Sequence, residues 1–247
     1  MAPFYEISLP AEKDNNIFYD EYNILSKTAE SINSFNALYK AGRNGAKGGP
    51  STHEQQDLCR AMLVFACAGL DVFVKQIVKN KLPQLLEVDK GVQDKFKEHV
   101  KRGIKKDEKE IWNTVALALI DPTPRNVFLG EYMKNVAGNS LQSVRELRRV
   151  SEASGLDTKK IFSDKKTKIL TEAFTARNEI IHEMDININE GASRTTGYRT
   201  RRQRKTILME EHTKSILELA KEIFSAYKEK FRKYEIGVEK KLSPSKA

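Results

Sequence analysis

The chain has 247 residues, with 43 Lys and Arg against 34 Asp and Glu and a formal net charge of +9 at pH 7. This length fits one elaborated domain better than two of average size. Only 13 glycines and 7 prolines occur, which argues against a turn-rich β architecture and favours helices. The longest uncharged apolar run, residues 61–70, is about 15 Å long as a helix, too short to cross a bilayer.

The first residues and the cysteines indicate the compartment. Residues 1–16 lack a basic start followed by an apolar run, so no secretory signal is predicted. Cys59 and Cys67 match no zinc-ligand spacing, and reduced thiols are expected. We therefore expect a cytoplasmic protein without a membrane segment, a bound metal or a cofactor.

Apolar residues recur at helical spacing along most of the chain. Ser51 or Thr52 is expected to cap the second helix, which is apolar on nearly every side and therefore predicted to be the buried centre of a bundle. Pro83 is expected to end it. The predicted helices cover residues 16–41, about 53–82, 91–106, 108–120, 140–153, about 164–182 and 206–234.

These patterns predict an all-α fold, since no convincing run of alternating strand residues occurs. The organisation predicted is a single helical domain over residues 1–236. Its core covers about 16–82 and 163–234, with a helical insertion at about 83–162. Residues 237–247 are expected to be a disordered tail.

The segment FTARNEIIHEMD, residues 174–185, places a cation in an apolar helix face. At 100° per residue, Arg177 falls in the middle of the apolar stripe, and Asn178 and His182 lie together at its margin. One explanation is an ion pair with Asp71, which carries a negative charge on the apolar second helix. Asp71 could also orient Arg177 for chemistry. A histidine at a helix C-terminus has a structural explanation too, because the macrodipole favours it there.

The segment RNEIIH, Arg177 to His182, resembles the arginine–polar–x3–histidine signature of HEPN domains. Residues 57–82 resemble the buried early helix of that family, and residues 172–185 resemble its terminal motif helix. The arrangement is similar to the RiboL-PSP branch, prokaryotic HEPN proteins associated with defence and stress ribonuclease systems. The resemblance implies an antiparallel HEPN-like helical bundle with additional helices inserted in the middle of the chain.

The resemblance also implies a metal-independent endoribonuclease, in which the ribose 2′-OH attacks the adjacent phosphate and leaves a 2′,3′-cyclic phosphate. Arg177 and His182 would be catalytic, and Asn178 would orient the site. These residue types suit the chemistry, because histidine titrates near neutrality and a guanidinium binds two phosphate oxygens. RNA is the implied substrate, and an antitoxin or another defence-system protein is a possible partner.

The spacing of the motif raises a geometric problem. Arg177 and His182 are five residues apart, about 140° around a regular helix, so one helix points them in different directions. Either the helix unwinds near Ile181 and His182, or two protomers combine their motifs across a two-fold axis. The resemblance implies the second arrangement, since HEPN domains form dimers through the motif helices.

A basic segment follows the motif. It holds six cations within twelve residues and no acid, and without them the net charge would fall from +9 to +3. Tyr198 adds a ring on which a base could stack, so RNA binding is predicted, with a solvated loop as the alternative. A second basic stretch, residues 95–106, has acids among and after its lysines and is expected to be a solvated helix face. The predicted RNA-binding residues are Arg194, Tyr198, Arg199, Arg201, Arg202, Arg204 and Lys205.

Two other functions stay open at this point. The chain could be a non-catalytic HEPN module that binds RNA or a partner protein. It could also be a nucleic-acid-binding accessory protein of a restriction or defence system, with the arginines on DNA phosphates. Phosphate contacts carry little sequence information, so the basic segment does not separate these possibilities.

Overall fold

The computed structural model describes residues 12–43, 51–186 and 201–242, with 12–16 and 235–242 as backbone only. Within these ranges the chain forms nine α-helices and no strand, so the predicted all-α architecture is confirmed. One antiparallel β-bridge joins Ile186 and Arg201. The helices are α1 (Glu12–Arg43), α2 (His53–Val88), α3 (Lys90–Lys105), α4 (Lys109–Ile120), α5 (Pro124–Ala137), α6 (Val144–Ala153), α7 (Thr158–Ile161), α8 (Asp164–Glu183) and α9 (Thr206–Leu242).

The chain divides into two compact units. Unit 1 comprises the described residues of Met1–Phe73, Gln142–Val144 and Phe162–Lys221, and unit 2 comprises those of Val74–Leu141, Arg145–Ile161 and Glu222–Ala247. Helices α2 and α9 each begin in unit 1 and end in unit 2. The predicted single domain with an insertion at about 83–162 stays a prediction, and most of the proposed insertion belongs to unit 2.

Unit 1 is built from α1, the first part of α2, α8 and the first part of α9. Leu25 and Ile32 of α1, Leu63 of α2 and Ile216 of α9 are each 1% exposed or less, so apolar stripes from three helices supply its core. The first part of α2 is less enclosed than its composition predicts. Phe65 is 46% and Val72 52% exposed, because burial follows the tertiary contacts of each face and not the hydrophobicity of the helix alone.

By length and composition alone, α2 could cross a membrane. The buried core helices of other proteins also meet these two criteria. Half of the most apolar 18-residue stretch of α2 is buried within the protein.

Unit 2 contains the final parts of α2 and α9 together with α3, α4, α5 and α7. It also contains α6 except for its first residue. Pro83 does not end α2, which continues to Val88. Leu82, Leu85 and Leu86 are all buried, and this packing holds the helix together past a proline that removes one hydrogen bond.

Helix α5 was not among the predicted helices. Pro124 occupies its first turn, a position where proline favours a helix, so the DPTP segment begins a helix as well as ending α4. Helix α9 extends to Leu242, into the segment predicted to be a disordered tail.

Asp89 joins two parts of unit 2. Its carboxylate accepts the α3 N-cap hydrogen bond from the Val92 amide at 3.0 Å and lies 2.6 Å from Lys230 Nζ of α9. Burial alone would raise the pKa of this carboxyl, but hydrogen bonds from Lys230, Tyr234 and the Val92 amide lower it to about 2. The charged pair therefore fixes the start of α3 against α9.

We predict opposite effects of alanine at two helical glycines. A Cβ at Gly69 would lie 2.3 Å from Thr28 Oγ1, which is hydrogen-bonded to the Ile24 carbonyl, whereas a Cβ at Gly130 meets nothing within 4 Å. Gly69→Ala should therefore destabilise unit 1 by about 1–2 kcal/mol despite its higher helix propensity. Gly130→Ala should stabilise unit 2 by about 0.5–1 kcal/mol. Urea unfolding measures both, and stabilisation by Gly69→Ala would contradict the packing of α1 on α2.

Candidate active site and its arginine–carboxylate cluster

The motif residues lie on the last turns of α8, within unit 1. The earlier turns are anchored, since Leu170, Ala173 and Phe174 are each at most 4% exposed. The helix then reaches the surface, where Ile181 is 38% exposed and His182 is also exposed. The apolar stripe that surrounds Arg177 in the sequence is thus buried at one end and accessible at the other.

Arg177 is partly buried and has few partners. Its Nη1 donates a hydrogen bond to Asn178 Oδ1 at 3.0 Å, and its Nε is buried without a hydrogen-bond partner. No carboxylate in the described part of the chain forms an ion pair with Arg177, so the Asp71 pairing is not among the contacts of this structure. Burial raises the pKa of the nearby Cys67 thiol to about 12, partly opposed by the charge of Arg177. Arg177 is therefore a cation without a charged protein partner in the described ranges.

Asn178 and His182 are both exposed and lie one helical turn apart. Helix α8 continues through Glu183, so it does not unwind at Ile181 and His182. The turn comes after the motif, where Met184 and Asp185 have φ of 51° and 56°, left-handed values for non-glycine residues. Of the two arrangements that the spacing allows, local unwinding is not found in this structure.

Asp185 is not among the predicted site residues, yet it is the most enclosed carboxylate beside the motif, at 0% exposure. Arg60 Nε of α2 donates to its Oδ2 at 2.7 Å, and Arg204 donates to both of its oxygens, the closest at 2.6 Å. Burial alone would raise the pKa of Asp185, but the hydrogen bonds from Arg204 and Arg60 hold it below its ordinary value. This carboxylate therefore stays charged between two guanidinium groups.

Further ion pairs surround this contact, and we call the whole set the arginine–carboxylate cluster. Its cations are Arg60, Arg201, Arg202 and Arg204, and its anions are Asp57, Glu179, Glu183 and Asp185. Arg202 lies 2.7 Å from Glu179 and 3.0 Å from Glu183, Arg204 lies 2.6 Å from Glu179, Arg201 lies 2.9 Å from Asp57, and Arg60 lies 3.0 Å from Asp57.

Backbone contacts join the same segments. The Arg202 amide donates to the Asp185 carbonyl at 2.7 Å, and Arg60 Nη2 donates to the Arg202 carbonyl at 2.8 Å. Together with the bridge between Ile186 and Arg201, they fasten the segment before α9 to the end of α8.

These contacts change how the basic segment is interpreted. Arg201, Arg202 and Arg204 form ion pairs with acids of α2, of α8 and of the turn that follows α8, which a count of local charges overlooks. Lys205 is exposed and forms no ion pair with a described residue. The predicted contacts of Arg194, Tyr198 and Arg199 lie outside the described residues. RNA binding by these seven residues stays a prediction.

The sequence carried a signal for the cluster. Glu179, Glu183 and Asp185 stand within seven residues at the end of the motif helix, a short distance before the six cations. Arg60 was harder to find, because it lies more than 100 residues away in sequence.

No set of three or more His, Cys, Asp or Glu side chains that could hold a metal ion occurs in the part of the chain that the structure describes.

Comparison with known proteins identifies the family. The model of the RiboL-PSP-HEPN family matches residues 25–233, most of the chain and both units. No curated protein matches the chain, and neither does any solved structure. HEPN domains are typically RNase-related or nucleotide-binding.

We predict that Asp185→Asn destabilises the protein by about 3 kcal/mol at pH 7, because it removes the shared partner of the buried Arg60 and the partly buried Arg204. Since the folded-state pKa of Asp185 is lowered, its stabilising effect should be complete above about pH 4 and shrink as the pH falls further. Denaturant unfolding from pH 7 to pH 3 measures this difference.

Asp57→Asn is the matched control, because Asp57 also pairs with two arginines but has a side chain that is 50% exposed. Its effect should stay within about 1 kcal/mol. Equal destabilisation by the two variants would show that burial of Asp185 does not determine the strength of the cluster.

Proposed function

Because the chain belongs to the RiboL-PSP-HEPN family, we propose that it is a metal-independent endoribonuclease with Arg177, Asn178 and His182 at its active site. The setting that we propose is prokaryotic defence, including toxin–antitoxin systems, and the compartment is the cytoplasm. A cognate antitoxin or another defence-system protein would then restrain the activity.

One observation carries this proposal: Arg177 has no carboxylate partner among the residues that the structure describes, while the acids that follow it on the motif helix and in the turn after it have partners. Glu179, Glu183 and Asp185 are all engaged by other arginines. Arg177 donates a hydrogen bond to Asn178, and its Nε is buried with no acceptor among the described residues. A partly buried guanidinium in this state favours an anion from outside the chain, and phosphate oxygens suit its two-point geometry.

The proposed reaction needs a base, an acid and stabilisation of charge. A histidine takes the proton of the 2′-OH, the 2′-oxygen attacks phosphorus, and the bond from phosphorus to the 5′-oxygen breaks. The protonated histidine then gives up this proton to the leaving 5′-oxygen, directly or through water, so the products are a 2′,3′-cyclic phosphate and a 5′-OH. Arg177 binds the non-bridging oxygens, on which charge develops in the transition state. Asn178 holds the guanidinium in place.

We propose that the site is composite and forms between two protomers. His182 is still helical, so Arg177 and His182 leave α8 in different directions. If two α8 helices pack about a two-fold axis, Arg177 of one protomer approaches the histidine of the other. Ile181 and Met184, 38% and 64% exposed beside the motif, would be covered in such a contact.

These two apolar side chains also favour a second candidate, a non-catalytic HEPN module whose motif face binds a partner protein. An accessory role on DNA in a restriction or defence system is a further alternative, with Lys205 as an available phosphate contact. Cleavage assays separate both alternatives from the endoribonuclease.

We predict that the purified protein cleaves single-stranded RNA at an undiminished rate in excess EDTA. His182→Ala should lower the rate by about 10²- to 10⁴-fold, the usual contribution of general acid–base catalysis. The control is His53→Ala, which removes an exposed histidine from the first turn of α2. Loss of cleavage in EDTA and its restoration by a divalent ion would contradict the proposed chemistry.

Mixing two inactive variants tests the composite site. Arg177→Ala and His182→Ala should each be inactive alone, and subunit exchange should restore activity in heterodimers that keep one intact arginine facing one intact histidine. With random exchange, half of the dimers are heterodimers, so about one quarter of the wild-type sites should return. Co-expression with two affinity tags isolates the heterodimer. Wild-type protein that cleaves RNA while sedimenting as a monomer would overturn the composite site.

A further inference from the structure

A groove in unit 2 combines aromatic rings with cations. It lies between α3 and α5, has a volume of about 400 Å³, and is lined by Phe96, Lys97, Val100, Lys101, Arg125 and Phe128. The ring of Phe96 packs at 5.2 Å, centroid to centroid, against the buried Tyr132, and this contact holds the ring in place. Phe128 is half-buried, so part of its surface is accessible.

The charged side chains that line this groove are all positive, since the lining contains three cations and no acid. Lys101 has no ion pair with a described residue, and Lys97 lies 3.7 Å from Asp94 in a weak, exposed contact. Arg125 pairs with Glu87 at 2.6 Å, but both side chains are more than half exposed. Such surface pairs contribute little and exchange readily for another anion.

An apolar slot with a cationic rim fits a ligand that is both flat and anionic. Single-stranded nucleic acids have this combination, because each base offers a face for stacking and each linkage carries a phosphate. A duplex does not fit in the same way, since its bases are already stacked and its surface offers only phosphates and base edges. Arg125 comes from α5 and the two lysines from α3, so both helices that line the groove contribute cations.

We propose that this groove is a binding site for single-stranded RNA, with a base against Phe128 and phosphates on Lys97, Lys101 and Arg125. The choice of RNA rests on the proposed function, whereas the groove rests on residues outside the R-N-x3-H motif and outside the basic segment before α9. Residues 95–106 were expected to be a solvated helix face. This stretch therefore has a role in RNA binding, because the aromatic rings of α3 and α5 lie beside its lysines and the groove lining contains no acid.

The test uses full-length His182→Ala protein, which should bind RNA without cleaving it, and a fluorescein-labelled 20-nucleotide oligouridylate. Fluorescence anisotropy gives Kd as a function of salt. Lys97→Ala with Lys101→Ala should weaken binding and reduce the log–log salt slope by about 1.4, or about 0.7 for each phosphate that is no longer neutralised. Phe128→Leu keeps an apolar side chain but removes the ring, so Kd should rise roughly 5- to 150-fold with the slope unchanged.

The matched control is Lys109→Ala with Lys134→Ala, which removes two exposed lysines of unit 2 that do not line the groove. An RNA duplex of the same length is the second control, and Phe128→Leu should leave its Kd unchanged. Crosslinking of a 4-thiouridine oligonucleotide to wild-type groove residues gives a readout that does not depend on how a variant folds.

Equal weakening of binding by the groove and control lysine pairs would overturn the proposal, and so would an equal effect of Phe128→Leu on single strands and duplex. An acidic peptide that displaces the oligouridylate at a lower concentration than unlabelled RNA would also overturn it and would identify a protein site.

If the wild type binds RNA through the groove but never cleaves it, the proposed ribonuclease fails while the groove stands. If it cleaves RNA but the groove variants bind like the control, only the groove fails.

Discussion

The contact between Asp185 and its two arginines organises the end of the motif helix. A fully buried carboxylate is stable only when charged partners replace water, and Arg60 and Arg204 do so from opposite directions in sequence. Arg60 belongs to α2, whereas Arg204 precedes α9. The Asp185 side chain thus connects the turn after α8 with α2 and with the segment just before α9, all within unit 1.

The arginine–carboxylate cluster engages the acids of the motif helix but not the arginine of the motif. Four arginines and four acids form ion pairs with one another at the end of α8. Arg177 forms an ion pair with none of these acids. A partly buried cation with no anionic partner in the described part of the chain is a candidate for binding phosphate. The structural ion pairs and the proposed catalytic arginine are therefore two parts of one electrostatic arrangement.

Local patterns predicted much of the fold, and non-local contacts account for the differences. The spacing of apolar residues indicated α1, α8 and α9, and the motif on α8 led to the correct family. Pro83 was expected to stop α2, because its effect was judged without the leucines that pack around it. The basic segment was predicted to bind RNA because it contains no acid, and the acids that pair with its arginines lie outside the twelve residues whose charges were counted. Burial of Asp185 is a property of three segments together, which no single window contains.

The most direct test of the central claim is the requirement for the attacking hydroxyl. An RNA oligonucleotide that the wild type cleaves at one position is compared with the same oligonucleotide carrying a single 2′-deoxy sugar there, and products are identified by mass spectrometry. Arg177 and His182 acting on a neighbouring 2′-OH predict a 2′,3′-cyclic phosphate from the first and no cleavage of the second. Cleavage at the deoxy position, or products ending in a 3′-OH, would contradict the account.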